Sequence, residues 1–214
     1  MGPFNLHGSL LPQYRGAAPI NWALINGDTE TGVTTFFLTH EIDTGKIIDQ
    51  KHIPITETDN AGTVYDALMK VGAELVVETV DLLLAERVEG IDQEKFFKEI
   101  SDLRPAPKIF KETCRINWEQ PVKSIYDFVR GLSPYPAAWA ELVDSAGKAQ
   151  VIKVYQTEKL FELHTLPGGT IRSDKNRYIE VAGHIGVIRL TSVQVAGKKQ
   201  VSVNEVLNAF MQIS

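Results

Sequence analysis

Between Ile91 and Lys111 the chain loses all hydrophobic period, and this stretch contains Arg104-Pro105-Ala106-Pro107. Proline fixes φ and donates no backbone hydrogen bond, so such a segment reads as an extended connector and not as helix or sheet. It separates two patterns. Residues 1–90 mix β-branched runs with helical spacing, whereas residues 112–214 alternate short strands with turn signals. A chain of 214 residues, 43% of them hydrophobic, has enough apolar material for two modest cores. The expected fold class is α/β over 1–90, a linker over 91–111, and a small antiparallel β-barrel over 112–214.

In the first module, Phe4–His7 reads as a strand end and Ala17–Ile25 as a helix, with Pro19 in its first turn and Asn26-Gly27 as its stop. Gly32–Leu38 and Lys46–Ile53 read as strands on either side of His40–Gly45. A long helix follows, capped by Asp59 or Asn60, with Val64, Leu68, Val71, Leu75 and Leu82 at helical spacing and Gly90 beyond its end. In the second module Pro121 opens a helix with Val122, Ile125, Val129 and Leu132 on one face. Turn signals recur at Ser145-Ala146-Gly147, Pro167-Gly168-Gly169, Ser173-Asp174, Gly183 and Gly197. Ser202 and Glu205 form a capping box ahead of Val206, Leu207 and Phe210.

Asn5 and His7 lie two residues apart on the first strand, so their side chains share a face just where the chain becomes irregular. Asp43, in the turn Asp43-Thr44-Gly45, can present a carboxylate toward the same sheet end. A carboxylate beside an imidazole orients it and favours its charged form, and a neighbouring amide supplies a second donor to a developing oxyanion. The same three residues also read as a turn asparagine, a satisfied core histidine and a turn cap. On residue type alone both readings stand. Arg15 reads equally as a substrate contact or an exposed loop arginine. No ligand spacing supports a metal at His7, His40 and Asp43. Cys114, the only cysteine, reads as a spectator, and a chain without an internal disulfide fits a reducing cytoplasm. No apolar run nears the roughly 18 residues of a membrane span, and Met1-Gly2-Pro3-Phe4 does not read as a secretory signal. Residues 1–106 hold 8 basic against 17 acidic side chains, and residues 107–214 hold 14 against 10. That asymmetry is a mild hint that the second module meets nucleic acid.

Asn5–Pro12, its continuation Gln13-Tyr14-Arg15-Gly16-Ala17-Ala18-Pro19-Ile20, and Asp43-Thr44-Gly45 closely resemble the folate-dependent formyltransferases. The second module is similar to the tRNA-directed members of that family through Arg115-Ile116-Asn117-Trp118, Val129–Leu132, Pro134–Trp139 and Val195–Lys199. The resemblance implies the C-terminal half of a Rossmann-like formyltransferase domain followed by an OB-like barrel. It implies Asn5, His7 and Asp43 as catalytic residues, and Ser9, Leu10, Leu11 and Pro12 as the folate-contacting stretch. The cosubstrate implied is 10-formyltetrahydrofolate, without a metal. The partner implied is initiator methionyl-tRNA, whose amine receives the formyl group in translation initiation, in a monomeric, cytoplasmic enzyme. Arg15, Lys108, Lys111, Arg115, Arg130, Lys198 and Lys199 are the candidate tRNA contacts. Set against the family, the chain lacks roughly the first hundred residues. Impaired activity and exposed apolar surface on the first module are therefore expected. Two rivals are another formyltransferase or hydrolase of the same family acting on a different substrate, and a non-catalytic tRNA-binding fragment.

Overall fold

The computed structural model describes residues 2–143, 149–174 and 177–210. The turn signal at Ser145-Ala146-Gly147 and the side chains of Val206 and Phe210 lie outside the described residues. The chain forms two compact units, residues 1–109 and 110–214.

The first unit holds strands β1 (Phe4–His7), β2 (Glu30–Phe37) and β3 (Ile47–Pro54), and helices α1 (Pro19–Ile25) and α2 (Ala61–Leu84). Its strands form one sheet in the order β1-β2-β3, antiparallel throughout. Strand β2 is central and buried from Thr31 to Phe36, and its alternating side chains serve two layers. Val33 joins Leu24, Val64, Leu68 and Leu75 in the core under α1 and α2, and Thr35 Oγ1 meets Thr79 Oγ1 of α2 at 2.8 Å. On the opposite face Phe36 packs with Leu11 and Ile47. Direct partners across an antiparallel pair share a face. Asn5 opposes Phe36 and His7 opposes Thr34, so both side chains stand on the face away from α2. Leu6, one residue out of phase, packs into the α1–α2 core.

Helix α2 buries Ala61, Val64, Leu68, Gly72, Leu75, Thr79 and Leu83. Gly72 lets it lie close on β1, since a Cβ there would come within 2.9 Å of Leu6 Cδ2. The helix ends at Leu84, with Glu86 at φ 56°, so Gly90 is not its stop. Gly90, at φ 68°, instead leads the chain under Lys46 and Phe37 into an Ile47–Ile91 bridge. Next to its buried stripe α2 carries a second apolar one: Tyr65, Met69, Val77, Val80 and Leu84 are all exposed. Two open grooves, about 520 and 440 Å³, run along it. The first is bounded by Leu6, Ile20, Tyr65 and Met69, the second by Phe4, Val80 and Leu84.

Residues 91–106, read from the sequence as a connector, form a strap bound to the first unit. Two 3-10 turns, Gln93–Phe96 and Ile100–Asp102, shape it. Its backbone then runs beside the loop after β1: Tyr14 N–H donates to Arg104 O at 2.7 Å, Ala106 N–H to Arg15 O at 2.8 Å, and Ala17 N–H to Ala106 O at 2.7 Å. Gly16 is required here, because a Cβ at its φ of 123° would meet the Ala106 carbonyl oxygen at 2.5 Å.

The second unit contains α3 (Val122–Leu132), β4 (Ala138–Val143), β5 (Ala149–Leu160), β6 (Ile171–Ser173), β7 (Ile179–Ala182), β8 (Val187–Val195), β9 (Gln200–Ser202) and α4 (Val203–Phe210). The strands form one antiparallel sheet in the order β4-β5-β8-β7-β6, with β9 added to β8. It is a curled half-barrel. The apolar face of α3, with Val122, Ile125, Val129 and Leu132 buried, is the one expected from its spacing. Half of the expected capping box at α4 is present, with Ser202 N–H donating to Glu205 Oε1 at 3.4 Å. No helix of the described residues is long and apolar enough to cross a membrane.

Candidate active site

Strand β1 ends with His7 on the loop face of the sheet, and the next nine residues fold back over it. His7 is 7% exposed. Its Nε2 lies 2.8 Å from the Tyr14 carbonyl oxygen, which can only accept, so Nε2 carries a hydrogen. That leaves Nδ1 facing Asp43, at 3.7 Å from Oδ2. Phe36 closes one side with an edge-on contact, centroid to centroid 6.4 Å. Asp43 sits between β2 and β3 at φ 56°, and its Oδ2 also accepts the Gly16 N–H at 2.9 Å. The carboxylate is thus fixed from two sides, by the ring and by a backbone amide.

Asn5 is exposed on the same face as His7. Its Oδ1 accepts the Leu6 N–H at 2.9 Å, which turns the NH2 half outward as a donor unspent within the described residues. The expected triad is therefore brought to one sheet end, with distinct geometries. The histidine is buried, the aspartate facing it is half-buried, and the asparagine amide is open.

The stretch Ser9–Pro12 is turned inward. Ser9 is fully buried and its hydroxyl donates to Gln13 O at 2.7 Å. Leu11 and Pro12 are buried, and only Leu10 is half-buried. Thr34 pins this turn, donating to Ser9 O at 2.7 Å and accepting from Leu11 N–H at 3.0 Å. Gln50 adds a bond to Leu11 O at 2.8 Å. Any ligand meeting this stretch touches its backbone and Leu10, not four open side chains.

Arg15 is drawn into the site. Its Nε and a terminal nitrogen donate to Gln93 Oε1 at 3.0 and 2.6 Å. Burial pulls its pKa below the ordinary value, against the opposing fields of Asp43, Glu41 and Glu94. Gln93 had no motif or period to mark it, and sequence reasoning missed it. Tyr14, read only as part of a motif, is another missed contributor.

The remaining cations of the tRNA reading divide by surroundings. Lys108 and Lys111 are exposed, one in each unit. Lys198 and Lys199 are exposed on the turn between β8 and β9. Arg115 is exposed, pairs with Glu141 at 2.9 Å and lies 5.4 Å over the Trp139 ring. Arg130 departs from the expectation of an open phosphate contact. It is 8% exposed and ion-paired to Asp127 at 2.7 Å, one turn earlier on α3. A buried guanidinium already neutralised by a carboxylate has little left for phosphate.

Fold and site define a two-unit protein in which an α/β unit carries a buried histidine facing an aspartate, with an open amide donor on the same sheet face, and an antiparallel half-barrel follows. The chain belongs to the formyltransferase family. Residues 1–80 match the family model for formyl transferase, and residues 108–211 that for the formyl transferase C-terminal domain. Across all 214 residues the chain is 64% identical to the methionyl-tRNA formyltransferase of Parabacteroides distasonis, covering 66% of that protein. It is 59% identical to the enzyme of the same name from Bacteroides thetaiotaomicron, over 98% of this chain and 65% of that one. Among solved structures it resembles HypX from Aquifex aeolicus in complex with tetrahydrofolic acid, with a TM-score of 0.69 at 20% identity. That match covers 98% of this chain and 35% of the other, and it speaks to fold alone. The chain spans just under two thirds of the length of these curated relatives.

Proposed function

We propose that this chain carries the catalytic residues and the tRNA-binding unit of a methionyl-tRNA formyltransferase, which moves a formyl group from 10-formyltetrahydrofolate to the amine of methionyl initiator tRNA. The observation that carries this reading is the 64% identity over every residue of the chain with a protein of that name. The site chemistry is compatible with it. Attack of the amine on a formyl carbon pushes negative charge onto the formyl oxygen, and preorganised donors lower that barrier. The Asn5 amide is the unspent donor. The His7 ring is the second donor, through its Nε2 hydrogen, which must leave the Tyr14 carbonyl to touch the substrate oxygen, and Asp43 stands behind Nδ1. Collapse of the intermediate breaks the bond between the formyl carbon and the folate nitrogen, and Asp43 is the group proposed to pass the proton lost by the amine to that departing nitrogen. The folate would lie on the turn at Ser9–Pro12, meeting Leu10 and the backbone.

In the second unit, Lys111, Arg115, Lys198 and Lys199 are exposed cations proposed to follow the tRNA backbone, and Lys108, three residues before Lys111 and at the end of the first unit, is proposed as a further contact. Such a translation enzyme would work in the cytoplasm.

The test is formyl transfer from 10-formyltetrahydrofolate to methionyl-tRNA, on this chain alone and with the N-terminal third of the Parabacteroides protein joined ahead of it. His7→Ala and Asp43→Asn are each expected to lower turnover by about 10²–10³, with tRNA affinity unchanged. Full turnover in either variant of an active protein overturns the assignment.

A further inference from the structure

Gln93 is 3% exposed, fifty positions after Asp43 in sequence, and all four hydrogen-bonding valences of its amide are used within the site. Nε2 donates to the carbonyl oxygens of Asp43, at 2.9 Å, and Gly45, at 2.7 Å. Oε1 accepts two bonds from Arg15, at 3.0 and 2.6 Å. Carbonyls only accept and a guanidinium only donates, so the amide can sit one way round only. The two donors clamp the backbone on both sides of Thr44. That turn puts Asp43 at φ 56°, a left-handed conformation uncommon for a residue other than glycine. The Asp43 side chain itself is met by the Gly16 N–H, at 2.9 Å, and faces His7 Nδ1 at 3.7 Å. Gly45 closes the same turn against the Phe37 carbonyl, where a Cβ has no room.

We infer that Gln93 is a positioning residue for the reaction, holding the Asp43 turn in the strained geometry that sets its carboxylate against His7 and tying Arg15 to the same amide. This inference rests on the reading of His7 and Asp43 as the catalytic pair. Displacing a catalytic group by about 1 Å can cost roughly 10² in rate. Gln93 reaches no open surface, so its effect falls on the chemical step and not on substrate affinity.

Two substitutions separate its two sides. Gln93→Ala removes both. Gln93→Glu keeps the volume and the Arg15 bonds, but sets carboxylate oxygen against two carbonyl oxygens where two donors stood. Nitrogen chemical shifts of the His7 ring, read by NMR on 15N-histidine protein, report on the Asp43 contact without any need for turnover. Both Gln93 variants are expected to move these shifts in the direction that Asp43→Asn moves them, and Gln93→Ala should add nothing in an Asp43→Asn background. In the transfer assay each should lower kcat by about 10²-fold with KM for both substrates unchanged. His7 shifts that stay at wild-type values in both variants, or effects that add in the double variant, overturn the inference. A fall in rate that appears wholly in KM also overturns it. Full turnover in Asp43→Asn, with His7 shifts still following Gln93, overturns the function reading instead and leaves Gln93 as a structural clamp.

Discussion

Tyr14 shows how one side chain sustains the site without entering it. Its φ is 61°, a conformation that costs of order 1–3 kcal/mol outside glycine and needs surroundings that hold it. The phenol supplies that hold. It donates to Asp28 Oδ2 at 2.6 Å and accepts from Asn26 at 3.2 Å and from Arg104 at 3.2 Å. Its own carbonyl, so fixed, takes the His7 Nε2 hydrogen. Burial, followed by the bond to Asp28, raises the phenol pKa above its ordinary 10.0. The folded state therefore keeps the proton more tightly than the unfolded chain. The stabilisation is whole below about pH 10 and is lost as pH rises through the raised value. Melting temperature should fall more steeply above pH 10 in the wild-type protein than in Tyr14→Phe, which has no proton to lose. At neutral pH the variant should be less stable by about 1 kcal/mol, and equal alkaline slopes would refute the argument.

Among the elements, α2 depends most visibly on its cap. Asn60 Oδ1 accepts from Gly62 and Thr63 N–H at 2.8 and 3.0 Å, and Thr63 Oγ1 accepts the Asn60 N–H in return. Asn60→Ala should cost about 1 kcal/mol, read as a lowered denaturant midpoint with unchanged slope. This helix, the strands beside Asp43 and the face of α3 were legible in the sequence, because burial repeats at 3.6 or 2 residues and turn residues punctuate it. That Asn5 and His7 share a sheet face was legible from their spacing of two, and the turn at Asp43 from its residues. The strap at 91–106 was not. It is held by backbone bonds from Arg104 and Ala106 and by single side chains such as Gln93, and none of these leaves a period. The burial of Arg130 was not legible for the converse reason: its partner Asp127 stands at i−3, but the packing that encloses the pair is not displayed in the sequence.

At the scale of the whole molecule, the second apolar stripe of α2 stands out. Tyr65, Met69, Val77, Val80 and Leu84 are 39–69% exposed on one side of α2, near the edge of β1 that has no strand partner among the described residues, and together they make more than scattered apolar surface. A chain of residues 1–214 should bind the dye ANS and self-associate with rising concentration. Met69→Lys with Val77→Glu should lower both, while changing stability by no more than about 0.5 kcal/mol per site. Light scattering and dye fluorescence measure the two, and an unchanged signal would deny the stripe its role. The strap carries a further consequence, one of timing. His7 and Asp43 leave the ribosome before the strap does, since Gln93 and Arg104 lie 50 residues beyond Asp43 and 90 beyond Tyr14. A nascent chain that already contains the histidine and the aspartate cannot fasten their turns until the strap has emerged. The site is thus assembled from its last segment, and a chain stopped before Ala106 would carry these residues without their arrangement.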